Sequence, residues 1–456
     1  MLESVDRLLR GIHPASLVIF SYLSAAMIGM GLLNLPQAST GEPVGLLDAL
    51  FTATSAVCVT GLIVVDTGSQ FTVFGKTVIL VLIQMGGLGV MTFSVLLFLF
   101  VGRKIGTRER WIINDTFTAA PTGDIKNLIR MIFIFTFILE AAGALVLSMV
   151  FLNSGGMPAV DAVFSGVFHS VSAFCNAGFS FFNTSFVAYR DNALLNITVM
   201  LLIVIGGIGF PVIYEITDKI RLRRKGVRKL MSLHSRMVLT STSFLIISGA
   251  VILFLFEGGA AFNSISMKGR ILSSFFQSIT ARTAGFNTID IPSLTPAALM
   301  ILIMLMFVGA SPGSCGGGIK TTALAVFAGI AKSRIKGFKH NFFGRRTIPD
   351  EITSRVVSVF VLAIVTISVG LLLLLLIQSP GGTEYYYLAY LFEAVSAFAT
   401  VGLSMGVTST LTWGGKLVII VMMLIGRVGL LTIAYILTRK KRKVTYKYAE
   451  EKVMIG

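Results

Sequence analysis

The chain has 456 residues, of which 55% are hydrophobic and only 13% are charged. Soluble domains carry about 25% charged residues. This composition therefore excludes an ordinary soluble protein and indicates a polytopic membrane protein with many spans of ~20 apolar residues. The net charge of +17 could suggest a nucleic-acid partner, but the distribution of that charge argues otherwise.

Thirty of the 38 lysines and arginines lie in five segments, 1–14, 102–130, 218–236, 332–355 and 438–456. Pairs of hydrophobic segments separate these five basic segments. Under the positive-inside rule, all five are predicted to be cytoplasmic, and both chain termini with them. The basic charge thus indicates membrane topology, and no nucleic-acid partner is expected.

Four similar stretches recur along the chain, which is the signature of an internal repeat. They are FTATSAVCVTGL (51–62), FHSVSAFCNAGF (168–179), FQSITARTAGF (276–286) and FEAVSAFATVGL (392–403). Each begins with Phe and closes with a glycine and an apolar residue, and the glycines are 117, 107 and 117 residues apart. A stretch of this length is too short to span a bilayer, so each is predicted to be a re-entrant segment.

Each stretch lies between two long apolar segments, which are predicted to be helices. The first helices lie near 15–36, 128–152, 236–256 and 354–377, and the second helices near 76–101, 194–216, 296–331 and 415–437. The predicted fold is an all-α membrane protein with four M1–P–M2 repeats (helix, re-entrant pore loop, helix) and eight transmembrane helices around one central pore. The predicted boundaries are 1–110, 111–225, 226–345 and 346–438, followed by a basic cytoplasmic tail at 439–456.

Four such loops around one axis suit the transport of a monovalent cation. Non-helical backbone in a membrane must be buried in protein or face water, and converging backbone carbonyls can replace the hydration shell of a cation. Glycine permits the positive φ and close approach that this needs, and the negative C-terminal end of each short helix favours a cation. The alternative is that the stretches are tight turns between packed helices.

Acidic residues near the loops are few. The loops lack the Asp or Glu rings expected for divalent selectivity. Asp66 and Asp290 follow two of the glycines and either attract cations to the outer mouth or form a solvated vestibule surface.

The second helices share glycine-rich motifs, MGGLG (85–89), IGGIG (205–209) and IGRVG (425–429), with VGA (308–310) in the third. Such glycines are interpreted as sites of close helix packing. Arg427 replaces a small residue of the other copies, and an intramembrane charge is costly and usually functional. The alternative is an arginine that reaches out to the membrane interface.

The second helix of the third repeat contains the unusual stretch GASPGSCGGGIKTT (309–322). It adds 6–10 residues relative to its sister helices before the first cytoplasmic basic residue, and its proline and glycines disfavour a helix. We therefore predict an unwound segment beneath the repeated loops. A phosphate-binding loop is disfavoured because Ile319 separates Gly318 from Lys320 and no strand precedes it.

Nothing in the sequence indicates an enzyme. No carboxylate pair, Cys/His cluster or Ser–His arrangement supports catalysis, and the three cysteines are interpreted as small packing residues.

These motifs, together with LLNLP (32–36), TARTAGFN (280–287) and GGGIKTT (316–322), resemble the Trk/Ktr/HKT potassium transporters over nearly the whole chain. The resemblance is closest to the membrane subunit of bacterial Ktr systems. It implies a K⁺ selectivity filter built by Val59, Thr60, Gly61, Asn176, Ala177, Gly178, Thr283, Ala284, Gly285, Thr400, Val401 and Gly402. Glycine rather than serine in the first loop favours K⁺ over Na⁺ in this family.

The resemblance also implies a gate beneath the filter. It consists of Ala310, Ser311, Pro312, Gly313, Ser314, Cys315, Gly316, Gly317 and Gly318, flanked by Lys320 and faced by Arg427. This loop is richer in Gly and Pro than the Ser/Ala/Thr-rich gates of Ktr proteins.

The expected assembly is likewise implied by the resemblance. It is a homodimer in the lipid of a bacterial plasma membrane, regulated by a cytosolic octameric ring of the KtrA/KtrC type that binds ATP or ADP. No covalent cofactor is expected on this chain, and Na⁺ dependence is left open. The tail 439–456 contacts the ring or the dimer partner, or is simply solvated. The rival functions are a Na⁺-coupled K⁺ symporter or Na⁺ pathway, and the ion-conducting subunit of a potassium-pumping ATPase.

Overall fold

The computed structural model describes residues 14–89, 125–154, 156–228, 230–257, 262, 265–338, 340–344, 346–378 and 386–430. Within these ranges the chain forms 15 α-helices and one short β-hairpin. Several predicted parts lie outside the described residues. They are the tail 439–456, the ends of the second helices of repeats one and four at 90–101 and 431–437, residues 1–13, and residues 102–124 of the second basic segment.

Twelve of the helices form four groups of three, which we call trios. Trio one contains α1 (Pro14–Leu33), α2 (Leu46–Val57) and α4 (Val73–Gly87), with the one-turn α3 (Thr67–Gln70) before α4. Trio two contains α5 (Ile125–Asn153), α6 (Ala159–Phe174) and α7 (Ala193–Ile208), and α8 (Phe210–Arg224) follows it. Trio three contains α9 (Leu233–Phe256), α10 (Met267–Thr280) and α11 (Pro296–Phe307), followed by α12 (Thr321–Ile335). Trio four contains α13 (Asp350–Ile377), α14 (Tyr386–Ala399) and α15 (Trp413–Val428).

The trios are arranged in a closed ring. Within each trio the three helices contact one another. Between trios, the last helix of one contacts the short middle helix of the next: α4 contacts α6, α7 contacts α10, and α11 contacts α14. The ring closes where α15 contacts α2. The four short helices therefore surround one common centre.

The last helix of every trio begins in the same way. Thr72, Asn192, Thr295 and Thr412 are N-cap residues whose side-chain oxygens accept a hydrogen bond from the backbone N–H three residues ahead. Threonine and asparagine are favoured there because they satisfy a free N–H group of the first turn. Local sequence thus sets where these helices begin.

The four first helices lie within four residues of their predicted limits. The unwound segment predicted in repeat three is present, but the second helices of repeats one, two and four, predicted to be continuous, are interrupted. Helix α4 ends two residues before Gly89, and α7 and α15 end immediately before Gly209 and Gly429; the φ angles of these glycines are +82°, +97° and +93°. A left-handed residue cannot continue a right-handed helix, and glycine adopts this conformation at no steric cost. At Gly209 the chain bends by 96° into α8. In trio three, α11 ends at Phe307 and a loop of residues 308–320 precedes α12.

Three helices are long and apolar enough to cross a membrane by length and composition, Arg130–Asn153, Leu233–Phe256 and Asp350–Ile377, and the bent pair α7–α8 would be a fourth. Two strands, β1 (Asn341–Phe343) and β2 (Arg346–Ile348), form an antiparallel hairpin after α12. This hairpin is a small departure from the predicted all-α fold. Its strand residue Ile348 packs against α9, α12 and α13 through a separate apolar cluster.

Candidate functional site

Each short middle helix is followed by a three-residue stretch that we call a glycine segment, at 59–61, 176–178, 283–285 and 400–402. The first and last residues of every segment have positive φ. The angles are 55°, 60°, 76° and 52° for Val59, Asn176, Thr283 and Thr400, and 89°, 70°, 79° and 91° for Gly61, Gly178, Gly285 and Gly402. A β-branched residue with positive φ is a conformational outlier that the surrounding structure must enforce. The same unusual backbone therefore occurs four times.

Hydrogen bonds from the short helices hold these segments in place. The N–H groups of Thr60, Ala177 and Val401 each donate to a serine carbonyl five residues earlier, at 2.7–2.8 Å. In trios one and four the hydroxyls of Ser55 and Ser396 also accept the N–H of the segment glycine, at 3.1 Å. The central serine of the repeated motif thus fixes the start of the segment.

The four glycines form a ring in which each contacts the next segment. A Cβ placed on Gly178 would lie 2.8 Å from the carbonyl oxygen of Ala284, and one on Gly285 would lie 2.6 Å from that of Val401. Equivalent contacts join Gly61 to the Ala177 carbonyl and Gly402 to the Thr60 carbonyl. Since real Cβ atoms do not approach oxygen so closely, both the φ angle and the available space require glycine.

Four equivalent backbone carbonyl groups, those of Thr60, Ala177, Ala284 and Val401, therefore lie at the contacts between neighbouring segments. Within the described ranges, no group of three or more His, Cys, Asp or Glu side chains could hold a metal ion. Carbonyl oxygens suit hard cations such as alkali ions.

A cavity of about 550 Å³ lies on one side of the ring, and all four segment glycines line it. Its other lining residues come from the stretches that follow the segments and include Asp66 and Asp290. The structure thus places both of these acidic residues in the lining of this cavity.

The loop of residues 308–320 lies on the other side of the ring. Its two ends are joined by a bridge between Val308 and Ile319, with the N–H of Gly309 donating to the Ile319 carbonyl at 2.8 Å. The hydroxyls of Ser311 and Thr321 are 2.9 Å apart. The loop therefore leaves the helix and returns to it, and its two ends are held together by hydrogen bonds.

Three consecutive glycines bring this loop against the segments. A Cβ on Gly316 would collide with the Thr283 hydroxyl, and a Cβ on Gly317 would collide with that of Thr400. At Gly318, where φ is +67°, the backbone lies against Ala399 at the end of α14. The glycine run therefore serves close approach to the ring rather than phosphate binding.

Trio two anchors the opposite side of the loop. The N–H groups of Ser311 and Cys315 donate to the carbonyls of Gly207 and Gly206, at 3.0 and 3.2 Å. The break at Gly209 completes this contact, because it leaves the N–H of Phe210 free to donate to the Gly313 carbonyl at 2.9 Å. The backbone N–H and carbonyl groups left free by the helix break are thus hydrogen-bonded to those of the loop.

Arg427 links the loop to two further trios. From α15, its guanidinium donates hydrogen bonds to the carbonyl of Cys315 in the loop and to that of Gly86 at the end of α4. Lys320 donates to the Gly316 carbonyl at 2.8 Å, so its ammonium bridges the end of the loop to its glycine run. Both basic side chains therefore contact the loop itself.

The structure brings together all the filter and gate residues expected from the sequence. The expected filter residues form the ring, and 310–318 lies below it with Lys320 and Arg427. Sequence reasoning missed the docking role of Gly206, Gly207 and Gly209, although the shared IGGIG motif marks them. It also missed the polar residues behind the segments, such as His169 and Glu393, because the four copies differ there.

Comparisons with known proteins identify the family of the chain. A family model described as TrkH, cation transport protein, matches residues 17–445. Ktr system potassium uptake protein B of Bacillus subtilis (strain 168) is 36% identical over 445 residues, covering 97% of each chain. Potassium/sodium uptake protein NtpJ of Enterococcus hirae is 35% identical over 456 residues, covering 99% of each chain.

The fold also matches a solved structure. The crystal structure of the potassium transporter TrkH from Vibrio parahaemolyticus aligns with a TM-score of 0.71 at 19% identity, covering 92% of this chain and 84% of that one. A likeness at this identity concerns the fold, while the family model and the two sequence relatives span nearly the full length. The chain belongs to the TrkH family of cation transport proteins.

Proposed function

We propose that the chain is the ion-conducting membrane subunit of a bacterial potassium uptake system. The observation that carries the proposal is the ring of four glycine segments, each with the same pair of positive-φ residues and each contacting the next. K⁺ would exchange its hydration water for the ring carbonyls and move down its electrochemical gradient. The names of the relatives, potassium uptake protein B and potassium/sodium uptake protein NtpJ, support K⁺ as the ion.

We assign the ring to the selectivity filter and each trio to one M1–P–M2 repeat, with the boundaries 1–110, 111–225, 226–345 and 346–438. This assignment gives eight transmembrane helices around one pore. The basic segment 218–236 follows the end of α7, and the basic segment 332–355 follows the 308–320 loop. By the positive-inside rule these segments are cytoplasmic, so the cavity at Asp66 and Asp290 is the extracellular mouth.

The 308–320 loop and Arg427 are assigned to a gate between the filter and the cytoplasm. The loop contacts Thr283 and Thr400 from below, and the two cationic side chains beside it oppose the passage of a cation. Opening requires the loop to release its hydrogen bonds to Gly206 and Gly207. The proposed assembly is a homodimer with one pore per subunit. A cytosolic ring that binds ATP or ADP would control it and supply the force that releases the loop.

The experiment that tests this function is rubidium uptake into proteoliposomes that contain this chain, with and without its cytosolic regulatory ring. An imposed membrane potential should drive uptake without ATP hydrolysis and without Na⁺. Uptake that occurs in whole membranes only, and that stops when ATP hydrolysis is blocked there, would instead indicate the subunit of a potassium-pumping ATPase.

A strict requirement for Na⁺ would indicate the second candidate, a Na⁺-coupled symporter, which the potassium/sodium name of the Enterococcus relative favours. Absence of uptake under all these conditions, from a correctly folded preparation with the regulatory ring present, would contradict the conducting role.

A further inference from the structure

The residue after the opening Phe of each repeated stretch is polar in all four copies: Thr52, His169, Gln277 and Glu393. All four are buried within the short helices, behind the glycine segments. Polar side chains at membrane depth are costly unless they have hydrogen-bond partners. The hydrogen-bond partners of each side chain therefore indicate its structural role.

In trio four, Glu393 binds the chain that follows the filter. One carboxylate oxygen accepts a hydrogen bond from the Ser404 hydroxyl at 2.8 Å, and the other accepts one from the Thr408 hydroxyl. The Ser404 hydroxyl in turn accepts the N–H of Gly406 at 3.0 Å. The side chain of Glu393 is fully buried, so it connects the short helix directly to the stretch just beyond Gly402.

His169 makes the equivalent connection in trio two. Its Nδ1 lies 2.7 Å from the Ser165 carbonyl, which can only accept, so Nδ1 carries the proton. Nε2 is then the acceptor, receiving the N–H of Phe181 at 3.3 Å and facing the Ser180 hydroxyl at 3.0 Å. Ser180 follows Gly178 by two residues, as Ser404 follows Gly402. Different side chains thus hold the same point of the backbone.

Trios one and three lack this connection in the part of the chain that the structure describes. The hydroxyl of Thr52 bonds within its own helix, to the Asp48 carbonyl at 2.8 Å. The amide nitrogen and oxygen of Gln277 have no hydrogen-bond partner among the described residues. Because each glycine contacts the next trio in chain order, trios two and four lie diagonally across the ring.

We propose that Glu393 and His169 are positioning residues that set the diagonal width of the glycine ring and thereby its preference for K⁺ over Na⁺. The proposal rests on the proposed function, in which the ring is the selectivity filter. Each residue holds the chain two residues beyond its filter glycine, so the glycine lies between two fixed points. Without that hold, the segment can move toward or away from the axis, and the ring then fits a smaller or larger ion.

The sharpest test removes single hydroxyls rather than the buried ionisable groups. Ser404→Ala and Ser180→Ala each delete one partner of Glu393 or His169 and alter no residue of the glycine segments. Thr410→Ala is the matched control, because its hydroxyl bonds only to Val407 within the same turn and is exposed. K⁺ and Na⁺ competition against rubidium uptake is measured for each variant, with the melting temperature as a check on folding.

The two serine variants should lower the K⁺/Na⁺ preference by about fivefold each, because each loses the serine's hydrogen bond to Glu393 or His169 together with its bond to a nearby backbone N–H. The Thr410→Ala preference should stay unchanged. Glu393→Gln keeps the size of the side chain and one acceptor oxygen, so its preference should lie between those of wild type and Ser404→Ala. A reduced uptake rate with an unchanged preference in both serine variants would overturn the proposal.

Gly61→Ser alters the ring itself and therefore distinguishes failure of the positioning role from failure of the filter assignment. If Gly61→Ser changes the preference and both serine variants do not, the positioning role fails while the filter assignment stands. If Gly61→Ser also leaves the preference unchanged, the filter assignment itself has failed.

Discussion

Arg427 in α15 donates a hydrogen bond to the backbone carbonyl of Cys315, and this bond ties the last trio to the loop beneath the glycine ring. The same guanidinium also reaches the carbonyl of Gly86 in trio one. One side chain thus combines a fixed positive charge with a mechanical link between two helix ends.

Two substitutions at Arg427 separate these roles. Arg427→Ala removes both the charge and the link, and uptake should rise about tenfold, since a charge in a low-dielectric pore contributes at least ~1.4 kcal/mol to a cation's barrier. Arg427→Lys keeps the charge, but a lysine does not reproduce the planar fork that reaches both carbonyls. Its uptake should therefore lie between wild type and Arg427→Ala. Unchanged uptake in both folded variants would exclude Arg427 from gating.

Deletion of residues 311–317 should open the pore relative to wild type. The deletion removes the part of the loop that contacts Thr283 and the carbonyls of Gly206 and Gly207, but keeps the Val308–Ile319 bridge that joins its two ends. Rubidium uptake should exceed that of wild type and no longer respond to Arg427→Ala. A shortened protein that stays monodisperse in detergent but conducts no faster would show that the loop is not the barrier.

Gly209→Ala tests how the helix break supports the loop. The glycine has φ +97°, and an added Cβ would lie 2.5 Å from the Pro312 carbonyl. The left-handed conformation costs alanine about 1–2 kcal/mol, and the contact displaces the loop, so both lower thermal stability and faster uptake are expected. Gly226→Ala is the matched control, because it has φ +79° but nothing within 4 Å of its added Cβ. The control should lose some stability and conduct at the wild-type rate; equal uptake by both variants would contradict the docking role.

The ion pair between Asp48 and Lys416 closes the ring of trios. Their charged atoms are 2.5 Å apart, and the pair joins the first turn of α2 to α15. Asp48 also lies at a helix N-terminus, where a negative charge is favourable. Asp48→Asn and Lys416→Met should each destabilise the protein by about 1–3 kcal/mol, with the larger loss for Asp48→Asn, as read from thermal unfolding in detergent. Losses below about 0.5 kcal/mol in both variants would show that the pair contributes little.

The repeated parts of the molecule were the most predictable from sequence. Phe51, Phe168, Phe276 and Phe392 mark one motif in four copies, and the limits of the first helices followed from apolar length alone. Repetition helps because a pattern weak in one copy becomes specific in four. The position of Arg427 followed similarly, since its sister positions hold small residues.

The parts that depend on long-range contacts could not be predicted. Gly209 in IGGIG is compatible with close helix packing or with a break, and its hydrogen-bond exchange with Gly313 decides between them. The connections made by His169 and Glu393 were equally hidden, because an imidazole and a carboxylate perform one task at matching positions. Such choices are set by neighbours more than 90 residues away or by chemistry that sequence alignment of the copies does not reveal.

The central claim is that the four-glycine ring selects K⁺, and cation competition for rubidium uptake tests it most directly. In wild-type proteoliposomes, K⁺ should suppress rubidium uptake while equal concentrations of Na⁺ should not. In Gly61→Ser, whose Cβ meets the Ala177 carbonyl at a φ of +89°, the K⁺/Na⁺ preference should fall by about tenfold. Equal suppression by Na⁺ and K⁺ in wild type, or an unchanged preference in folded Gly61→Ser, would contradict the account.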